Sequence, residues 1–140
     1  MAKRISRTKA SFDKQKRGYK AVIKGGIFEK QIGEFLSKHG YKISFEKPIG
    51  KAKFDVFGIR YDAWEGEEYC IAECKDKPRV TPTDVLRFMS KLRGFYKRLP
   101  AYGFDEKPEV QGLFAYKGEL PRDARNAAKG FKPPIKFKKF

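Results

Sequence analysis

The stretch Tyr69-Cys70-Ile71-Ala72-Glu73-Cys74-Lys75 decides how the chain reads. It is apolar enough for a core strand, yet it ends in an acid and a lysine, and charge taken out of water is costly unless something offsets it. Side chains two apart on a strand share a face, so Glu73 and Lys75 project together while Cys70, Ala72 and Cys74 point the other way. One face of this strand therefore carries chemistry. The two cysteines stand apart from it. Along an extended strand they are separated by roughly 13 Å, at about 3.3 Å per residue, too far to bridge. With a single histidine, His39, they also make a poor zinc set, and they read as buried small side chains.

Just upstream, Phe54 to Arg60 is a second run of the same kind, and the intervening Tyr61 to Glu68 contains Gly66. This predicts a hairpin turning near Trp64. Such a hairpin sets Asp55 opposite Glu73, with Cβ atoms about 5 Å apart. Two carboxylates so placed can share one hard cation, Mg²⁺ or Mn²⁺, and leave its other positions to water and phosphate. An ion held this way polarises a phosphate and lowers the pKa of a bound water, which Lys75 would orient or deprotonate. The plainer alternative is a solvated edge or a simple salt bridge between Glu73 and Lys75. The joint placement of three charged groups on apolar strands favours the metal site.

The flanking segments supply a scaffold. Residues 1–22 carry eight Lys or Arg against the single acid Asp13 and read as a basic mobile arm. From Gly25 and Gly26 to Gly40, the spacing of Phe28, Ile32, Phe35 and Leu36 predicts a core helix capped by Gly40, with His39 a capping or surface residue. Tyr41 to Phe45 alternates as a short strand, and Pro48, Gly50, Lys51 and Lys53 then mark a basic loop. Pro78 and Pro82 end the Glu73 strand. Thr81, Pro82 and Asp84 start a second helix, whose buried face would be Val85, Met89, Leu92, Tyr96 and Leu99, opposite Arg87, Lys91 and Arg98. A loop over Pro100 to Pro108, a strand over Val110 to Tyr116 and a short helix over Pro121 to Lys129, ended by Gly130, complete the pattern. Ile135 to Phe140 has the look of a last edge strand. The order α-β-β-β-α-β-α predicts an α/β fold: one domain over residues 23–140, in three layers, with a mixed central sheet flanked by helices.

A net charge of +16 on 140 residues destabilises a compact chain by self-repulsion and points to a polyanionic partner, nucleic acid first. Arg17 and Lys20 of the arm, Lys24 beyond it, and Lys51 and Lys53 of the loop are the candidate phosphate contacts. No run approaches the roughly 18 apolar residues that spanning a membrane requires. The basic N-terminus is not followed by the apolar core of a signal peptide, so a cytoplasmic, membrane-free protein is expected.

Asp55 on one strand, Glu73-Cys74-Lys75 on the next, and a preceding helix bearing Glu29 together resemble the PD-(D/E)XK nuclease superfamily. Within it, the chain looks most like archaeal Holliday junction resolvases and type IV restriction-like nucleases. The likeness runs from residue 24 to about 116. It is carried by Lys24-Gly25-Gly26-Ile27-Phe28-Glu29, Lys38-His39-Gly40-Tyr41, Phe54-Asp55-Val56 and Ile71-Ala72-Glu73-Cys74-Lys75. Phe54 stands where the superfamily's name has proline, and the basic arm and the loop before Val110 fall outside the compact resolvase pattern. The resemblance implies a restriction-endonuclease-like core, with Asp55, Glu73 and the Cys74 carbonyl as metal ligands. It also makes Lys75 the catalytic lysine and Glu29 a further site carboxylate. It implies a Mg²⁺- or Mn²⁺-dependent endonuclease of DNA recombination or repair, acting on branched, Holliday junction-like, or duplex DNA. A symmetric junction further implies a homodimer with two equivalent sites. The rival from another class is a non-catalytic DNA- or RNA-binding module that retains the nuclease fold, marked by salt-sensitive binding without metal-dependent cutting. An RNA-binding protein of a translation or processing particle fits the charge but leaves Asp55, Glu73 and Lys75 unexplained.

Overall fold

The computed structural model describes residues 26–64, 66–99 and 107–140. The basic arm at 1–22, with Arg17 and Lys20, lies outside the described residues, as does Lys24. Five strands form one sheet in chain order: β1 (Lys42–Ile49), β2 (Ala52–Asp62), β3 (Gly66–Lys75), β4 (Glu109–Tyr116) and β5 (Ile135–Lys139). The first three pair antiparallel through tight turns, whereas β3 with β4 and β4 with β5 pair parallel. Parallel neighbours need a crossover. Helix α2 (Pro82–Arg98) lies between β3 and β4 in the chain, and the short α3 (Arg122–Asn126) between β4 and β5.

Period-two alternation on the strands divides the core into two layers. On one face, helix α1 (residues 26–38) buries Phe28, Ile32 and Leu36 against Val56, Cys70, Ala72, Leu113 and Ala115. On the other, Val85, Phe88, Leu92 and Phe95 of α2 and Ala124 of α3 cover Phe54, Phe57, Ile71, Val110 and Phe114. This helix–sheet–helix stack is the three-layer α/β core that the element order predicts. Its ends are chemically marked. Thr81 Oγ1 accepts from the Asp84 amide at 3.2 Å while the Asp84 carboxylate accepts from the Thr81 amide at 2.8 Å, a reciprocal cap on α2. Gly40, at φ 89°, ends α1, and His39 is exposed there with Nδ1 2.8 Å from the Phe35 carbonyl oxygen. No helix among the described residues is long and apolar enough to cross a membrane.

Three local expectations need correction. The basic loop after Phe45 is a continuation of the hairpin: Pro48 pairs with Lys53 and Ile49 with Ala52. Only Gly50 and Lys51 form the turn, and Gly50 at φ 62° supplies the positive φ that a two-residue hairpin loop demands. Pro48 is tolerated because β1 is an edge strand. The buried stripe of α2 runs through Val85, Phe88, Leu92 and Phe95, with Met89, Tyr96 and Leu99 only partly covered. The Phe88 ring packs on Phe114 and the Phe95 ring on Phe54 and Phe57, which turns the helix so that these rings face the sheet. The third helix stops at Asn126, and residues 127–130 leave it as turns ending at Gly130, φ 75°.

Candidate active site

The β1–β2 register sets Phe45 against Val56 and Lys47 against Phe54, so Glu46 falls across from Asp55. In the β2–β3 ladder the last paired positions are Val56 and Ala72, and Asp55 and Glu73 lie just beyond them. One acid from each of three adjacent strands thus lies at the row where the β2–β3 ladder ends. The sheet is deformed there. Glu46 has φ 51°, a left-handed state that costs a non-glycine residue of order 1–3 kcal/mol and that clusters at functional sites. Phe54 and Phe57 lie in the same core layer although their positions are three apart, so alternation breaks around Asp55. The paired positions of β2 and β3 end at Val56 and Ala72, and beyond them the Cys74 amide donates to the Asp55 carboxylate at 2.9 Å.

Helix α1 reaches this row because of a glycine. A Cβ on Gly33 would meet the Phe45 ring at 2.6 Å, so bare backbone lets α1 lie close against β1. Glu29, one helical turn earlier on the same side, is thereby brought to Glu46. Ligand oxygens of Glu29, Glu46 and Asp55 all lie within 4.8 Å of one another. Glu73 is outside this cluster. It is 4% exposed, with Oε2 3.5 Å from Lys75 Nζ and Oε1 3.4 Å from Lys91 Nζ. Lys91 also donates to the Lys53 carbonyl at 3.2 Å, which ties α2 to β2 at the same spot.

The charges in the cluster are poorly compensated. Partial burial, then the hydrogen bond and charge of Glu46 and the charge of Asp55, push Glu29 up from the ordinary 4.5 to about 8. Burial works against ionisation of Glu46 too, but hydrogen bonds from Lys53 and Glu29 outweigh it and hold Glu46 below its usual value. Burial raises Asp55 against the pull of the Cys74 amide and of Lys91 and Lys75. Burial and then the charge of Asp55 raise Glu73, against Lys91 and Lys75. Around neutral pH, Glu29 therefore keeps a proton, which it directs to Glu46.

The structure brings together Asp55 and Glu29 in one group and Glu73 and Lys75 in an adjoining one. Cys74 meets Asp55 through its amide N–H; burial pushes its thiol above the usual range, away from thiolate chemistry. Lys51 is exposed in the β1–β2 turn, whereas Lys53 is committed to Glu46 at 2.9 Å. Two residues escaped the sequence reading. Glu46 was hidden because β1 was expected to end at Phe45; the hairpin signal Gly50-Lys51, counted back in register, places it opposite Asp55. Lys91 was assigned to the solvent side of α2, and the ring pair Phe88 and Phe95 was the signal that turns it toward Glu73.

No family profile and no curated protein matches the chain. Among solved structures, it is similar to a repair endonuclease from Pyrococcus abyssi at 22% identity, over 86% of this chain and 46% of that one, with a TM-score of 0.55. It is also similar to EndoMS in a complex with double-stranded DNA, at 21% identity over 71% of this chain and 36% of that one, TM-score 0.49. The chain spans less than half the length of either. The five-stranded mixed sheet with its flanking helices is thus a fold shared with the Pyrococcus abyssi endonuclease.

Proposed function

We propose that the chain is a metal-dependent endonuclease of the PD-(D/E)XK type that hydrolyses DNA phosphodiester bonds. The observation that carries this is the pairing of a compact three-carboxylate cluster, Glu29, Glu46 and Asp55, with a buried Glu73 flanked by Lys75 and Lys91. The donor set suits a hard dication: all oxygen, with burial and then the neighbouring acids Glu46 and Asp55 holding a proton on Glu29. Asp55 is the common ligand, with Glu29 and Glu46 on one side and Glu73 and the Cys74 carbonyl on the other. A bound Mg²⁺ or Mn²⁺ would polarise the phosphate and acidify a coordinated water. Lys75 orients the attacking water, or deprotonates it once Lys75 has itself given up its proton, Lys91 keeps Glu73 ionised and in place, and the Cys74 amide fixes the Asp55 carboxylate. The +16 charge suits recognition of backbone shape more than base sequence. Branched DNA is the substrate this favours, and a homodimer the assembly that a symmetric junction asks for.

The test is cleavage of labelled four-way junction, flap, duplex and single-stranded DNA in Mg²⁺ or Mn²⁺, comparing wild type with Asp55→Ala and Lys75→Ala. Cutting that both substitutions abolish while DNA binding survives supports the assignment. The second reading, a binding module that retains the fold, draws on the two lysines that already neutralise Glu73 from within. Salt-sensitive binding with no metal-dependent cutting of any substrate would establish it.

A further inference from the structure

A groove of about 330 Å³ opens between the β1–β2 turn and α2. Ile49, Ala52 and Phe95 supply apolar walls, and Lys51, Ser90, Lys91 and Arg98 supply the polar groups. The arrangement is built in two respects. A Cβ on Gly50 would collide with the Arg98 guanidinium, so the turn glycine lets Arg98 lie flat over the hairpin. Gly94 sits in mid-helix with no atom within 4 Å of where its Cβ would be. Glycine is unfavourable in a helix interior, and here it leaves the groove open where any side chain would begin to fill it.

The electrostatics point one way. Among the described residues, no carboxylate lies within ion-pair distance of Lys51 or Arg98. Lys91 belongs to both places: it lines the groove and its Nζ is 3.4 Å from Glu73. The groove is therefore the cationic continuation of the carboxylate site. A planar guanidinium, an ammonium and a hydroxyl converging on an open slot are the donors that a phosphodiester oxygen accepts from.

We infer that this groove seats a backbone phosphate of the nucleic-acid strand next to the phosphodiester at Asp55 and Glu73, with Arg98 and Lys51 as its principal contacts. The inference rests on the reading of the chain as a DNA-acting protein, and it assigns α2 a second task beyond covering the sheet.

The test measures duplex and junction binding in EDTA, so that binding is read without cutting, as a function of salt. Each phosphate contact removed lowers the slope of log K against log[salt] by about 0.9 on duplex DNA. The Lys51→Ala/Arg98→Ala double variant should lose about two such contacts, while Lys129→Ala, an exposed lysine elsewhere, keeps the wild-type slope. Gly94→Glu places an acid in the groove at a position that favours helix, so it should fold at least as well as wild type and bind DNA several-fold more weakly. A double variant with the wild-type slope, or a Gly94→Glu protein with undiminished affinity, overturns the inference even if metal-dependent cutting persists. A reduced slope in a protein that cuts nothing leaves the groove standing and removes the catalytic reading. Inorganic phosphate or a mononucleotide that displaces DNA as effectively as an oligonucleotide, at matched ionic strength, would make this a small-anion site and also overturn it.

Discussion

Glu29 and Glu73 are acids of one type in one site, both raised by burial and neighbouring carboxylates, but they differ in the countercharge within reach. Glu73 is the more deeply buried, yet Lys75 and Lys91 supply its countercharges from within the chain. Glu29 is more exposed but faces two other carboxylates, Glu46 and Asp55, and Lys53, the lysine that lowers it, is bound to Glu46. Its ionisation is pushed up to about 8. One half of the site is closed on itself and the other half is short of positive charge. Burial alone does not mark a carboxylate as functional; what it lacks does.

That contrast can be broken by experiment. The largest effect is expected from Lys75→Ala, a fall of about 10²–10⁴-fold in cleavage rate at unchanged DNA affinity, which is the usual weight of a positioned proton-transfer group. Single-turnover assays with saturating enzyme would show it, and a loss confined to binding would count against the role.

Metal binding should next separate the two halves. With Mn²⁺ at 100 times its dissociation constant, linkage stabilises a binding protein by about 2.7 kcal/mol. A rise in the wild-type melting temperature that disappears in Asp55→Asn is the expected result. An equal rise in both proteins would move the ion elsewhere.

Without metal, Glu73→Gln should destabilise by roughly 1–3 kcal/mol, the cost of leaving partly buried partners unmatched. Glu29→Gln should be neutral or stabilising at pH 8, as read by urea midpoints. The pH dependence has a definite sign. Because Glu29 holds its proton to about 8 in the folded chain against 4.5 ordinarily, its contribution is fully present below pH 4.5 and is lost as pH rises toward 8. Metal affinity should climb over the same window, since the cation competes with that proton. A wild type whose metal-free stability is flat between pH 5 and 8, or an unchanged slope in Glu29→Gln, would erase the contrast between the halves.

The smallest effect concerns the route by which Lys91 arrives. Thr81→Ala removes the hydroxyl that caps α2 and should cost about 1 kcal/mol in thermal unfolding. A larger loss would mean that the cap also supports the Lys77–Asp84 ion pair beside it.

The sequence made much of this legible because local and global signals agree on β3. The alternation across Cys70 to Lys75 separates its two faces, and the hairpin brings Asp55 to the end of β3, where the Cys74 amide donates to it. What escaped was non-local. Glu46 enters the site because Gly33 admits the Phe45 ring and because one residue of β1 takes a left-handed turn, neither of which leaves a periodic trace. Lys91 depended on the rotation of α2, and that was settled by ring packing between Phe88, Phe95 and the sheet rather than by helical spacing, which fits two adjacent stripes equally well.

The two outer strands set how copies of this chain can meet. β5 ends in Lys136, Lys138 and Lys139, and β1 carries Pro48 and the kinked Glu46. A row of like charges at one border and a missing donor with a bent backbone at the other both resist strand addition. Both features disfavour sideways growth into a continuous intermolecular sheet. The dimer proposed above would therefore join through helices or loops, leaving the five-stranded sheet of each copy to carry its own candidate site.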